Sequence, residues 1–198
     1  MTTPNTLHDL ATRTRTIRRF KEQEGISPAT LRTLVDLARL APCAGNIQPF
    51  KYVLSTSRKI NALIFPHLRW AAYLQAWDGP VEGERPAAYI VIGRDMAISN
   101  ALNSDQGFAV QNILLGATEL GLGCCVIASF ARDNVREVLQ IPPGIDPIWV
   151  IALGVPLETV VVEPLLPGGD IRYWRDAEHV HHVPKRPLES IVLKQFDE

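Results

Sequence analysis

The stretch 104–120 constrains the fold most. Phe108, Val110, Ile113, Leu114, Leu115, Ala117 and Leu120 spread apolar side chains over more than one face of a helix. A surface helix keeps one polar side, whereas this one needs cover nearly all round. In a chain of 198 residues the cover comes from the centre of the domain or from a second subunit. Gly107 and Gly116 lie in the same stretch, where a missing Cβ admits close approach of another backbone, and Gly121 and Gly123 end it.

The elements around that helix follow from local pattern. Ser27 and Pro28 form a helix start, since the hydroxyl caps free amides and proline has no amide to lose there. Leu31, Leu34, Val35 and Ala38 then build one apolar stripe, and Pro42 stops the helix. Stretches 50–55, 87–93, 124–128 and 149–155 are short, rich in β-branched or aromatic residues and bounded by Gly, Pro or polar residues, which predicts buried strands. A further short helix is expected over 135–139, before Pro142 and Pro143. Helices and strands mix without steady βαβ alternation, so the fold class is α+β.

No interior boundary divides the chain, and 1–198 reads as one domain whose last part, 156–198, is an extended arm. Pro156, Pro164, Pro167, Pro184 and Pro187 are spaced too closely for long elements. Val160, Val161, Val162, Leu165, Leu166, Trp174, Ile191, Val192 and Leu193 are too many apolar residues to leave in water. The arm is expected to dock on something, and a partner subunit suits it.

With 20 basic and 21 acidic residues the formal charge is -1, so no global field favours nucleic acid or an anionic membrane. No apolar run is long enough to span a bilayer. Cys124 and Cys125 are adjacent and the third cysteine stands alone, which suits reducing cytoplasm and no disulfide framework. The pair sits in an apolar β-like run and reads as buried small hydrophobes rather than a redox couple. His179, His181 and His182 have no second cluster of ligand-type residues, and the expectation is a solvated arm with no metal.

Two stretches carry candidate chemistry. Stretch 14–20, reading TRTIRRF, packs guanidinium groups and hydroxyls suited to bidentate recognition of phosphate oxygens. Taken alone, it also fits a solvated helix end, with Arg15, Arg18 and Arg19 on one face. Stretch 41–50, reading APCAGNIQPF, joins a helix to a strand and is rich in small residues and side-chain amides. Gly45 admits close backbone approach, and Asn46 and Gln48 offer donors and acceptors to a heterocycle edge. The same loop also fits an ordinary helix-to-strand turn.

Taken together, the arginine-rich opening, PCAGNIQPF, DQGFAVQNILLGATELGLG followed by CCVIASF, IALGVP and the closing KRPLE resemble the FMN-dependent nitroreductase family. The resemblance runs from about Arg13 to Leu193, with the motifs in the family's order. It implies a mixed central sheet flanked by helices, an intertwined homodimer with a C-terminal arm, and one FMN in each of two clefts between subunits. Arg15, Thr16 and Arg18 match positions that hold the phosphate and ribityl chain, while Thr14 stands where arginine is frequent. Arg186, with Lys185, matches a late basic position that closes on the phosphate. Pro42, Cys43, Ala44, Asn46 and Gln48 match the loop lining the isoalloxazine, with Cys43 where serine is common. Ala128 and Ser129 match a turn whose backbone N–H points at flavin N5, so no side chain is assigned as catalytic.

The implied activity is an NAD(P)H oxidoreductase in which hydride from NADH or NADPH reaches N5 and then a nitroaromatic, quinone or similar electron-poor acceptor, with ping-pong kinetics. Two alternatives stay open: specialised flavin chemistry, such as reductive dehalogenation, desaturation or flavin fragmentation, and a flavin-binding module without turnover. Trp70, Tyr73, Trp77, Trp149 and Trp174 read as core or interface, and the stretch 65–83 offers a lid over the cleft.

Overall fold

A computed structural model describes residues 7–74, 76–100 and 104–197. The rest of the expected 1–198 domain, including Gln75 of the 65–83 stretch, lies outside the described residues. Four strands form the central sheet: β1 (Phe50–Ser55), β2 (Ala88–Asp95), β3 (Gly123–Ile127) and β4 (Ile145–Gly154), in the order β1-β2-β4-β3. All four fall where the sequence places strands, with β4 starting earlier than expected. Every ladder in this sheet is antiparallel, and its parallel component is the single bridge between Thr16 and Cys124.

The two faces are sorted by the period-2 geometry of strands. Ala88, Ile90 and Ile92 of β2, with Ile151 and Leu153 of β4, face a core built with α2 (Pro28–Arg39) and α4 (Asp105–Glu119). Tyr89, Val91, Val150 and Ala152 face the opposite core, with Ile64 of α3 (Arg58–Ile64) and Val135 of α5 (Arg132–Val138). Cys124 and Cys125 belong to opposite cores, which rules out a vicinal redox couple working on one face. Burial raises both thiols, Cys125 to about 11.

Helix α2 starts as expected: the Ser27 side chain accepts from Thr30 N–H at 3.0 Å, and Leu31, Leu34 and Ala38 are buried. Helix α4 packs against α2 and the sheet but keeps one exposed face. A Cβ on Gly116 would lie 2.4 Å from Leu37 Cδ1, so the close approach is made by α2 side chains rather than by a backbone. Gly107 faces open space, and Phe108 remains 50% exposed.

Helix α1 (Leu7–Arg13) ends before the arginine stretch, so the solvated-helix reading of 14–20 is corrected. The stretch runs as an edge segment instead. Ile17 N–H donates to Cys124 O at 2.8 Å, and Lys21 N–H to Val155 O at 2.9 Å. Extended backbone there lets Ile17 and Phe20 lie over Gly123 and Gly154, whose absent side chains make the room. The fully apolar contact outweighs the helical spacing of the arginines.

The C-terminal part also departs from expectation. A second sheet of β5 (Val160–Pro164), β6 (Trp174–Arg175) and β7 (His181–Lys185), ordered β5-β7-β6, folds residues 160–185 back onto their own chain. The segment after Arg186 is exposed and irregular, with one 3-10 turn over Leu188–Ser190 and with Leu193 93% and Phe196 89% accessible. Among the described residues, no helix is long and apolar enough to cross a membrane.

Candidate functional site

The three arginines of the edge segment have different surroundings. Arg15 is half-buried. Its Nη2 donates to Ala11 O at 2.6 Å, its Nε is buried without a partner, and burial lowers its pKa. Thr16 beside it is exposed. Arg18 is turned inward, with Nη1 3.3 Å from His181 Nε2 and its guanidinium 4.7 Å from the Tyr173 ring centre. Arg19 is paired with Glu84 through two N–H donors at 2.7 and 2.5 Å, which raises its pKa and lowers that of Glu84.

Glu158 fastens this segment to the second sheet. Its side chain is fully buried; it accepts from the backbone N–H of both Arg18 and Arg19, and from Arg175 Nη2 at 2.8 Å. His181 is 1% exposed, and burial, with Arg18 next, depresses its pKa to about 4. This corrects the solvated reading for His181, which packs against both Arg18 and Tyr173, while His179 is exposed as expected. His182 stacks on Trp174 at 4.1 Å and bonds Asp176 and Glu163, both at 3.1 Å, which raises its pKa. Glu158 and Arg175 are functional neighbours that no local sequence pattern marks. Nothing in the sequence sets these two charges apart from the many others in the C-terminal stretch.

The loop after α2 is built around left-handed backbone. Gly45, Asn46 and Gln48 have φ of 58, 53 and 52°, a concentration of strained positions that asparagine tolerates and glutamine does not favour. Asp105, buried at the start of α4, holds it: Oδ2 accepts from Ala44 N–H at 3.0 Å and from the Cys43 thiol at 3.2 Å. Gln48 N–H in turn donates to Cys43 Sγ at 3.3 Å. Beside the loop lies a cavity of 140 Å³ lined by Arg39, Pro42, Cys43, Gln48, Tyr52 and Asp105, among others. Burial pushes the Tyr52 hydroxyl up to about 12, so it stays a neutral donor. Asp105 is a further residue that the sequence analysis did not single out, although an acid in a helix's first turn is a readable anchor.

The remaining predicted positions lie elsewhere on the surface. Ala128 and Ser129 follow β3 and are exposed, and Ser129 O accepts from Arg69 N–H at 3.0 Å. Lys185 and Arg186 are exposed at the end of β7. The structure thus gathers Pro42, Cys43 and Gln48 around one cavity, and neither Arg15, Arg18, Lys185 nor Arg186 lines it. Near Ser129, Phe65, Trp70 and Trp77 form an aromatic group around a second cavity of 330 Å³. Tyr73 connects this stretch to the second sheet through a 5.1 Å ring contact with Tyr173.

A sequence model of the Nitroreductase family matches residues 11–155, well over half of the chain. The chain belongs to the nitroreductase family. Among similar members of known description is the oxygen-insensitive NADPH nitroreductase of Salmonella typhimurium, 24% identical over 93% of this chain and 76% of its own. Two solved structures share the nitroreductase fold. An FMN-dependent nitroreductase from Clostridium difficile superposes with a TM-score of 0.60 at 22% identity, covering 75% of this chain and 86% of that one. A candidate nitroreductase from Desulfovibrio desulfuricans, solved in complex with FMN, superposes at 0.65 with 20% identity over 99% and 100% of the two chains. The family match ends at β4, so the second sheet of this nitroreductase lies beyond it.

Proposed function

We propose that this nitroreductase family member is an FMN-dependent NAD(P)H oxidoreductase that delivers hydride, by way of flavin N5, to nitroaromatic, quinone or similar electron-poor acceptors. The observation that carries the reading is Arg15. Its guanidinium is partly withdrawn from water, its Nε has no partner, and no carboxylate among the described residues pairs with it. A cation desolvated without a counter-charge is costly unless a ligand supplies one, and a phosphate oxygen matches the N–H geometry. The residues present therefore fit the cofactor that the family relatives' names carry.

FMN, when bound, supplies the two-electron chemistry, and this chain supplies binding, orientation and charge control. Arg15, Thr16 and the late pair Lys185 and Arg186 are the groups for the phosphate and ribityl chain. Arg18 adds positive charge, held in place by Glu158 and His181 around it. Pro42, Cys43, Ala44, Asn46 and Gln48 form the ring-facing loop, which Asp105 holds in its strained shape. The backbone N–H groups at Ala128 and Ser129 are the donors assigned to the ring's reactive edge, where preorganised dipoles stabilise developing charge without reorganising.

Three features favour a homodimer with shared clefts: the loop cavity lacks every basic group of the phosphate set, α4 leaves Phe108 half-exposed, and the tail carries accessible Ile191, Leu193 and Phe196. A second copy would complete each site. The test is the visible spectrum of the purified protein before and after anaerobic NADH or NADPH, followed by a nitroaromatic or a quinone. A yellow protein that bleaches and then recovers its colour is expected. A protein that takes up no FMN in excess overturns the reading, and bound flavin that never bleaches reduces it to a binding module.

A further inference from the structure

We propose that the partly open cavity between the start of α3 and the start of β2 is a binding site for a small carboxylate with a short apolar stem. It has a volume of 70 Å³, several times the roughly 10–15 Å³ that one water needs, and none of the residues assigned to FMN lines it. Its wall carries two guanidinium groups, Arg58 and Arg85, against one carboxylate, Glu22.

The chemistry of that wall is directional. Glu22 is committed to the backbone: Oε2 accepts from Gly83 N–H at 2.6 Å and Arg85 N–H at 3.3 Å, which fixes the turn that carries Arg85. Arg85 lies 4.5 Å over the Phe65 ring, and its Nε is buried without a partner. Arg58 spends one N–H on a long 3.4 Å bond to Gln23 O and retains four donors. Asn61 is largely committed: its Oδ1 accepts from Ser55 Oγ at 2.7 Å and one of its two Nδ2–H donors goes to Ala87 O at 2.8 Å, which leaves a single N–H. Tyr89 also lines the cavity, and burial raises its pKa, so its hydroxyl is a neutral donor.

The net balance is one positive charge, with Ala62, Phe65, Pro86 and Ala87 forming the apolar remainder. A monoanionic carboxylate matches both. A dianionic phosphate exceeds the available charge and brings a third oxygen against the carboxylate of Glu22.

The purified protein is titrated calorimetrically with sodium propionate at constant ionic strength, with sodium chloride and inorganic phosphate as the other arms. Saturable propionate binding is expected, weakened about tenfold or more in Arg85→Met and in Arg58→Met. Arg58 is exposed at the first position of its helix, so Arg58→Met leaves the fold intact even where Arg85→Met does not, and circular dichroism checks both. Propionate heats no different from chloride, unchanged affinity in both variants, or phosphate binding more tightly than propionate would each overturn the proposal.

Discussion

The Cys43 thiol lies 3.2 Å from Asp105 Oδ2, and the same oxygen takes the Ala44 N–H at 3.0 Å. One carboxylate on α4 thereby holds two consecutive residues of the loop assigned to the flavin ring. Replacing it with Asp105→Ala removes the charge-assisted bond to the Ala44 N–H and releases the left-handed turn, which costs about 1–3 kcal/mol by urea denaturation. Cys43→Ser keeps a donor toward Asp105 and should leave stability within about 0.5 kcal/mol of the parent.

Arg15→Ala and Arg186→Ala should each weaken FMN binding about tenfold or more, the loss of a charge-assisted contact worth roughly 1.5–3 kcal/mol. Calorimetric titration of the apoprotein measures it. Unchanged affinity in both removes them from the phosphate site.

Gly123 sits directly beneath Ile17. A Cβ there would come within 2.6 Å of Ile17 Cγ1 and 2.7 Å of Ile17 Cβ, the stem of the side chain rather than a movable tip. Gly123→Ala should cost about 1–3 kcal/mol and displace the segment that carries Arg15 and Thr16. Stability and FMN retention are expected to fall together, which a paired denaturation and titration series will register.

His181 makes stability depend on pH. Its folded pKa of about 4 lies below the ordinary 6.5, with Arg18, Arg175 and His182 as the charges facing it. Between those values the unfolded chain binds a proton that the folded chain refuses, so stability decreases as pH falls from about 6.5 to about 4. The paired carboxylates Glu84 and Asp176, with lowered pKa values, add to the loss at still lower pH. His182, with a raised pKa, acts in the opposite sense: its contribution is full below about 6.5 and fades as pH rises through its folded value. Denaturation at stepped pH should show a shallower acid slope in His181→Gln.

Removing Glu158 should be the most damaging single change. Glu158→Ala strands two backbone donors and the Arg175 guanidinium, and about 3–5 kcal/mol is expected from breaking a buried charge cluster. Chemical denaturation reads the cost, and proteolysis within 160–185 should accelerate.

Local pattern was enough to place the four central strands and helices α2, α4 and α5, but not α1 or α3. The Ser27 cap, the 31/34/38 stripe and the short apolar runs each depend on neighbours within a turn or a strand. What pattern did not reveal depends on partners far apart in the chain. Arg18 shares helical spacing with Arg15, yet Glu158 and His181, more than 130 residues on, draw it inside. The loop motif was recognisable from its small residues and amides, but Asp105, which shapes it, is over 50 residues away. The C-terminal sheet stayed hidden because strands of two to five residues broken by proline carry almost no periodic signal.

The bond from Glu158 to the amides of residues 18 and 19 also orders the events of synthesis. The segment bearing Arg15 leaves the ribosome early, but its neighbours β3 and β4, and the carboxylate that accepts from its two amides, are made more than 100 residues later. The early segment must therefore wait unpaired until they have emerged, an interval in which a nascent chain is exposed to misassembly.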